Sequence, residues 1–220
     1  MKSEKQKDFI ALIICNGKLS KRLIQKVIDS KKPRKQLLIA ADGASEFLQQ
    51  HKIIPAYIIG DLDSITPGVK NYFAAKKVKI IKIHDQNKND LEKCIRFVIS
   101  KKIKRISIVG LSGKRLDHTF NNISIIKKFF RKADITAYDN IFEYYFIKKK
   151  TEFEYKTGEI ISLIALPKAS GITSKGLKYP LKNGTLEFGG FQGALNSSTG
   201  KRLFVEVKKG TLLIFKKHFL

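Results

Sequence analysis

The chain has 220 residues, 43% of them hydrophobic and 29% charged, which is the composition of a globular protein and excludes disordered and collagen-like classes. No apolar run approaches the roughly 20 residues of a membrane-spanning helix, so no integral membrane protein is expected. The net charge is +25, but only seven of the 44 basic residues are arginine and the lysines are spread along the chain, which favours a generally basic surface over a nucleic-acid site.

Two local features bear on where the protein works. Cys15 and Cys94 are the two cysteines, too few for the disulfide framework of a small secreted domain, and they fit a reducing cytoplasm. Residues 1–7 followed by the apolar run 9–15 resemble a signal peptide. However, acidic residues interrupt the region that should be positive and no small-residue cleavage site precedes Cys15. We therefore predict that residues 9–15 form a first buried strand.

Apolar runs alternate with amphipathic segments through the first two thirds of the chain. The predicted strands are 9–15, 36–41, 56–59, 78–83, 105–109 and 135–138. The predicted helices are 20–29, 44–50, 67–76, 90–100 and 117–130. This alternation predicts right-handed crossovers and a largely parallel, Rossmann-like sheet with flanking helices, whose ligands bind outside the carboxyl ends of the strands.

After about residue 147 the pattern changes to short strands separated by Gly, Ser, Asn and Pro turns. The predicted strands are 159–166, 176–181, 185–188, 203–207 and 211–215, and residues 141–150 are predicted to be the crossover between the two parts. Such a pattern is typical of an all-β sandwich or barrel. We predict an α/β domain over residues 1–145 followed by a smaller β-sandwich domain over residues 146–220.

Six of the ten aspartates fall between residues 42 and 117, each directly after an apolar run or at the start of a helical segment. Asp42-Gly43 follows the second strand, and Gly60-Asp61-Leu62-Asp63-Ser64 follows the third. Two carboxylates on one tight turn can converge on a hard cation such as Mg²⁺. The structural alternative is that Asp63 or Ser64 only caps the following turn.

Two later loops complete the pattern. Asp85-Gln86 precedes Asn89-Asp90, where Asn89 is a predicted N-cap and Asp90 a first helical residue, a position that favours a carboxylate even without function. Gly110 to Asp117 combines glycines, the cation Arg115 and an aspartate that can be a plain N-cap. Four strand ends that each deliver an aspartate to one sheet edge predict a metal–polyphosphate site.

The ordered motifs resemble the thiamine pyrophosphokinase family over nearly the whole chain. They are Asp42-Gly43, Gly60-Asp61-Leu62-Asp63-Ser64, Asp85-Gln86, Asp90-Leu91-Glu92-Lys93, Gly113 to His118 with Asn121-Asn122, and Gly176 to Leu181. The resemblance implies a cytoplasmic enzyme that uses Mg²⁺ and transfers diphosphate from ATP to the hydroxyl of thiamine, releasing AMP. It also implies an α/β domain, a β-sandwich and a homodimer with active sites between subunits.

The same resemblance implies roles for individual residues. Asp61, Asp63 and Asp90 would hold Mg²⁺ and the ATP phosphates. ATP would also be bound by Asp42, Gly43, Gln86 and Arg115. Thiamine would be bound by Asp117, Tyr179, Leu195 and Asn196. The chain departs from the usual pattern at Ala44, Asn89, Lys114 and Leu195, and the last of these removes a hydroxyl from the expected thiamine pocket.

Two other functions are compatible with parts of the sequence. Asp61 and Asp63 could be the nucleophile pair of a haloacid-dehalogenase-like phosphatase, which needs a later acidic pair that is not evident beyond Asp117. The charge of +25 could serve RNA binding, although no RNA-binding motif is recognisable and the aspartate clustering would go unexplained.

Overall fold

A computed structural model of the chain describes residues 9–32 and 34–220. Residues 1–7, the leader-like segment of the sequence prediction, lie outside the described residues. The chain forms two compact units, of which the first extends to Asn140 and includes Leu220 and the second is Ile141–Phe219. Within the described ranges, none of the helices has the length and hydrophobicity that crossing a bilayer requires.

The first unit alternates strands and helices around a parallel sheet. Its elements are β1 Phe9–Ile14, α1 Lys21–Ser30, β2 Lys35–Ala41, a 3₁₀ turn Asp42–Ala44, α2 Ser45–Gln50, β3 Tyr57–Gly60, α3 Pro67–Ala75, β4 Lys79–Lys82, α4 Asp90–Ser100, β5 Arg105–Val109, α5 Leu116–Phe129 and β6 Asp134–Tyr138. The strands pair in the order β4-β3-β2-β1-β5-β6, with every pairing parallel. The predicted α/β fold is confirmed.

The strand order places a switch point at β1. The chain moves outward from β1 through β2, β3 and β4, and then returns to pair β5 with the opposite edge of β1. Connections that leave β1 and β5 therefore diverge, and the gap that they leave lies at the carboxyl ends of these strands. This is the position at which open α/β sheets bind ligands.

Helix α4 shows how the sequence specifies these elements. Asn89 caps the helix, because its side-chain oxygen accepts a hydrogen bond from the backbone N–H of Glu92 at 3.0 Å. The Glu92 carboxylate does not complete a capping box but pairs with Arg96 and Lys128, each at 2.8 Å. The buried apolar stripe consists of Leu91, Cys94, Ile95 and Val98, as the helical spacing predicts.

The core of the first unit lies between the sheet and its helices. Ile14 of β1, Ala40 of β2 and Ile58 of β3 are fully buried and pack in one cluster with Ile24 of α1 and Phe73 of α3. Each large apolar side chain buried in this way contributes about 1.5–3 kcal/mol relative to its exposed state. The near-continuous apolar strands are those of a sheet covered on both faces.

The second unit consists of antiparallel strands. They are β7 Phe142–Ile147, β8 Lys150–Glu154, β9 Ile160–Lys175, β10 Gly184–Glu187, β11 Gly193–Ser197, β12 Arg202–Glu206 and β13 Lys209–Lys217. The 16-residue β9 is the central element, since it pairs with β10, β11, β12 and β13. The predicted all-β character of this part is confirmed, with buried residues of β9, β12 and β13 in one core cluster.

Two sequence predictions for this unit are wrong, and strands β8 and β11 were not predicted. Residues 176–181 do not form a strand, because Gly176 has a left-handed φ of 78° and only Leu177 makes a single bridge, to Ser198. Residues 141–150 are not a crossover but contain β7, which pairs with β13. Strand β11 was not predicted because its pairing with β9 shifts register and its short sequence lacks alternating apolar residues.

Candidate active site

A cavity of about 300 Å³ opens at the carboxyl ends of the parallel strands in the first unit. This volume is at the lower end of the range for small-molecule sites. The cavity is lined by residues that follow four strands and by the first turns of α4 and α5: Cys15, Asn16, Gly17, Ala41, Asp42, Gly43, Ser64, Asn89, Asp90, Leu91, Gly110, Leu111, Ser112, Lys114, Arg115, His118, Thr119 and Asn122. The sheet edge predicted to bind ligand is thus the edge that carries the cavity.

Three aspartates from distant parts of the chain meet at this edge. Asp42 follows β2, Asp61 follows β3 and Asp90 begins α4, and one carboxylate oxygen of each lies within 4.8 Å of the others. We call these residues the carboxylate triad. Two oxygens on opposite sides of a Mg²⁺ ion are about 4.2 Å apart. The separations within the triad, up to 4.8 Å, exceed this distance only slightly, so a small shift would let the three carboxylates share one ion. All three donors are the hard oxygens that Mg²⁺ prefers, and the residues present therefore fit the metal.

The backbone around Asp42 fixes the direction of its buried carboxylate. Asp42 Oδ1 accepts a hydrogen bond from the N–H of Gly43 at 2.6 Å, and Oδ2 accepts one from the N–H of Leu62 at 2.8 Å. Leu62 has a left-handed φ of 66°, a conformation that costs a non-glycine residue about 1 kcal/mol or more. The turn after β3 therefore holds Leu62 in a strained backbone conformation, and in this conformation the Leu62 N–H donates to Asp42.

Electrostatics reflect the crowding of the triad. Burial raises the pKa of Asp42 to about 7, and the hydrogen bond and negative charge of Asp90 act in the same direction. For Asp61, desolvation is outweighed by hydrogen bonds from Asp63 and by the charge of Lys93, so its pKa is lowered. Three carboxyl groups held this closely need a positive charge to remain ionised together.

Lys93 supplies that charge, although the sequence motifs assigned it no role. Its Nζ donates to Asp90 Oδ1 at 3.0 Å and lies 3.9 Å from Asp61 Oδ2, and its side chain is only 2% exposed. Burial acts to lower the pKa of Lys93, but the hydrogen bond to Asp90 and the charges of the triad raise it. The three-residue spacing from Asp90 on a predicted helix was the available signal, because it places both side chains on one face.

The other predicted residues of the loops after β3 and β4, namely Asp63, Asp85 and Gln86, are not members of the triad. Asp63, predicted as a metal ligand, lies outside it, and its Oδ1 accepts a hydrogen bond from the hydroxyl of Ser64 at 3.0 Å. Asp85 pairs with Lys88. Gln86, predicted to bind ATP, is exposed and does not line the cavity, whereas Gly43 does.

The loop after β5 brings cations to the cavity. Arg115 and Asp117 form a two-pronged ion pair at 3.1 and 2.6 Å, and both side chains are exposed. The Arg115 guanidinium lowers the pKa of Asp117 to about 2. Asp117 is not the helix N-cap of the alternative prediction, because that position is Arg115. Arg115 lines the cavity and Asp117 does not.

A contact between Lys114 and Asn16, both of which line the cavity, was not predicted from the sequence. Lys114 Nζ donates to Asn16 Oδ1 at 2.8 Å, which joins the loops after β5 and β1. Gly17 lies so close to the Gly110 and Ser112 carbonyls that a Cβ would clash with both. The Asn-Gly pair directly after the first strand was the available signal for a tight turn at the ligand edge.

In the second unit, the predicted thiamine residues form one local structure. Asn196 is buried, its Oδ1 accepts from the Tyr179 N–H at 3.1 Å, and its Nδ2 donates to the Tyr179 carbonyl at 2.8 Å. Tyr179 is 62% exposed and Leu195 is 82% exposed. Leu195 has a left-handed φ of 59°, and its N–H donates to Ser162 Oγ at 3.3 Å. Asn196 thus fixes the backbone that presents Tyr179 to solvent.

Comparison with known sequences gives a consistent result for both units. A family model described as thiamin pyrophosphokinase, catalytic domain, matches residues 29–138, and one described as thiamin pyrophosphokinase, vitamin B1 binding domain, matches residues 146–212. A rice relative named thiamine pyrophosphokinase 1 is 29% identical over 70% of this chain and 62% of its own length. A Bacillus subtilis relative named thiamine pyrophosphokinase is 27% identical over 82% of this chain and 86% of its own length.

Solved structures show the same fold. The crystal structure of thiamine pyrophosphokinase from Bacillus subtilis has a TM-score of 0.82 at 23% identity and covers 96% of this chain and 100% of its own. Yeast thiamin pyrophosphokinase has a TM-score of 0.81 at 20% identity, covering 95% of this chain and 86% of its own. Neither the phosphatase nor the RNA-binding hypothesis is favoured by these matches. The two family models together account for most of the sequence, and the chain therefore belongs to the thiamin pyrophosphokinase family.

Proposed function

We propose that this enzyme transfers a diphosphate group from ATP to the hydroxyl of thiamine, giving thiamine diphosphate and AMP. The observation that carries the proposal is the convergence of Asp42, Asp61 and Asp90 at the ligand edge of the sheet. An ATP triphosphate bound beside three carboxylates requires cations, and a divalent metal meets that need. Membership of the family makes thiamine the acceptor to test first.

The proposed metal site consists of the carboxylate triad, and Asp63, whose backbone N–H donates to Asp61 Oδ1 at 3.4 Å, is proposed to assist it from the same turn. Mg²⁺, when bound, neutralises charge on the transferred phosphate groups. Asp42 is held by two backbone N–H groups and Asp90 by the start of α4, so both enter the reaction with fixed positions. Fixed positions reduce the reorganisation that a phosphoryl-transfer transition state would otherwise require.

The cations of the loop after β5 are proposed to bind the triphosphate. Lys114 and Arg115 line the cavity, and Arg115 can offer two parallel N–H donors to phosphate oxygens. Gly43 lines the same cavity without a side chain, and Gln86 is proposed to approach the nucleotide from the loop before α4. The thiamine hydroxyl then attacks the β-phosphorus in line with the departing AMP.

Asp117 is proposed to act by its charge rather than as a general base. With a pKa lowered to about 2 by Arg115, its carboxylate stays ionised at neutral pH and accepts a proton poorly. Thiamine is a cation, and an ionised carboxylate attracts it on an otherwise basic protein surface. Asp117 would therefore help to orient the acceptor.

The second unit is proposed to bind thiamine, which agrees with the description of the family model that matches it. The exposed Tyr179 ring can cover one face of the cationic thiazolium, and Asn196 keeps that ring in place through the backbone. Leu195 provides an adjacent apolar contact. We further propose a homodimer in the cytoplasm, with residues 1–145 as the nucleotide-binding domain and 146–220 as the thiamine-binding domain.

The decisive experiment is an assay of AMP release from ATP by the purified full-length chain. We expect AMP to form only when thiamine and Mg²⁺ are both present, and EDTA to stop it. Related alcohols that lack the thiazolium should give little product. Release of AMP without thiamine, or an aspartyl-phosphate formed from a phosphomonoester, would contradict the proposal and favour a phosphohydrolase.

Replacing Tyr179 by alanine should raise the KM for thiamine roughly 5- to 30-fold, because a cation–π contact in a partly desolvated site is worth about 1–2 kcal/mol. The KM for ATP should change little. Tyr179→Phe, which keeps the aromatic face, is the matched control and should stay close to the parent enzyme. Equal increases in both KM values for Tyr179→Ala would remove the proposed role.

A further inference from the structure

Lys93 is a buried cation that the proposed reaction does not use. Its side chain is 2% exposed, whereas lysine side chains are almost never fully buried unless they are paired with an opposite charge. Lys93 lies on α4 about one turn after Asp90, and its ammonium group lies between Asp61 and Asp90, two members of the carboxylate triad. Burial of an ammonium group costs free energy that only close opposite charges repay. The triad provides those charges.

The position of Lys93 has two opposing consequences. In the metal-free protein, its ammonium offsets the mutual repulsion of three carboxyl groups whose oxygens lie within 4.8 Å of one another. The ammonium lies 3.0 Å from Asp90 and 3.9 Å from Asp61, so a divalent cation held by these carboxylates would share them with Lys93 and would be repelled by its charge. The same side chain therefore stabilises the empty triad and weakens its affinity for a free metal ion.

We propose that Lys93 is a positioning residue that holds the triad in the metal-free enzyme and makes metal binding depend on the nucleotide. The negative charge of a triphosphate offsets the repulsion between the ammonium and the metal, so the cation enters with ATP rather than before it. This inference rests on the proposed function for the identity of the nucleotide. The effect of Lys93 on metal affinity in the absence of nucleotide is a separate property of the site.

The test measures Mn²⁺ binding to the metal-free, full-length protein at pH 8, from the electron paramagnetic resonance signal of free Mn²⁺. Lys93→Met keeps most of the buried volume and removes the charge, and we expect it to bind Mn²⁺ at least roughly tenfold more tightly than the parent protein. Lys93→Arg, which restores the charge, should return the affinity towards the parent value. Lys88→Met removes a lysine that pairs with Asp85 on the neighbouring loop, and it should change the affinity less than about twofold.

Thermal unfolding provides a second readout that does not depend on activity. Lys93→Met should unfold at a lower temperature than the parent protein in EDTA, and Mn²⁺ alone should restore most of the difference. The parent protein should gain little from Mn²⁺ alone and more when an ATP analogue with a methylene group between the α- and β-phosphorus is added. In Lys93→Met this extra gain should be smaller.

Unchanged or weaker Mn²⁺ binding by Lys93→Met would overturn the inference. So would a Lys93→Met variant that is unfolded and that Mn²⁺ does not refold, because the added cation should supply the missing charge. Failure of the parent enzyme to release AMP with thiamine would reject the proposed function. Tighter Mn²⁺ binding by Lys93→Met would still stand in that case, so the two failures are distinguishable.

Discussion

Replacing Asp61 by asparagine should reduce Mg²⁺-dependent AMP formation by about 100-fold or more while leaving the protein folded. Asparagine keeps the shape of the side chain but removes one of three charged ligands of the proposed metal site. The side chain is 38% exposed, so the free energy of unfolding should change by less than about 1 kcal/mol. The measurements are kcat/KM in the AMP assay and the urea midpoint of unfolding.

Asp29→Asn is the matched control for this substitution. Asp29 is also an aspartate paired with a lysine, Lys32, but it lies on α1 and is not a member of the carboxylate triad. Its replacement should leave kcat/KM within about twofold of the parent value. Full activity of Asp61→Asn would show that the carboxylate does not hold the metal, and an equal loss in Asp29→Asn would show that the assay reports a general charge effect.

Replacing Gly60 by alanine should both destabilise the protein and inactivate it. A Cβ at this position would clash with Cγ and Oδ2 of Asp42 and would lie 2.8 Å from its Cβ. Asp42 is buried and bound to two backbone N–H groups, so it cannot move without loss of hydrogen bonds. We expect a loss of about 2–3 kcal/mol in the free energy of unfolding, and loss of most activity because the triad is displaced.

Gly68→Ala provides the control for a glycine-to-alanine change. Gly68 lies in α3 and has open space where a Cβ would be added. Alanine there should stabilise the helix by about 0.5–1 kcal/mol and leave activity unchanged. Normal stability and activity of Gly60→Ala would mean that the contact between Gly60 and Asp42 does not constrain the site. Chemical denaturation and the AMP assay on both variants decide the question.

Sequence periodicity predicted the first unit closely because its signals are local. The strand 105–109 and the helix 90–100 were predicted with the bounds that the structure shows. Apolar runs bounded by polar turns mark strands, and the stripe of α4 after the cap Asn89 marks a helix. The meeting of Asp42, Asp61 and Asp90 also followed from local signals, since parallel strands deliver their carboxyl ends to one edge.

The second unit was predicted less well, because its strands depend on partners distant in the chain. Strand β7 is stabilised by pairing with β13, whose paired residues lie 65 to 75 positions later in the sequence, and β11 pairs with β9 through an irregular register. A β-strand has little structure of its own, and its free energy comes from cross-strand neighbours. Short runs without alternation therefore carry no reliable local signal.

The residue types and their order were enough to indicate the family and the parallel α/β domain, and they predict a magnesium–triphosphate site at one edge of its sheet. Membership in the triad could not be obtained in the same way, because Asp42 and Asp63 have equally suitable side chains for a metal. Tertiary structure separates the two residues: the turn after β3 directs the Leu62 N–H towards Asp42 and so fixes the Asp42 carboxylate beside Asp61 and Asp90, whereas Asp63 lies outside this group. The burial of Lys93 is likewise decided by tertiary structure, since the cost of desolvating its ammonium is offset by Asp61 from the turn after β3 as well as by Asp90 on its own helix.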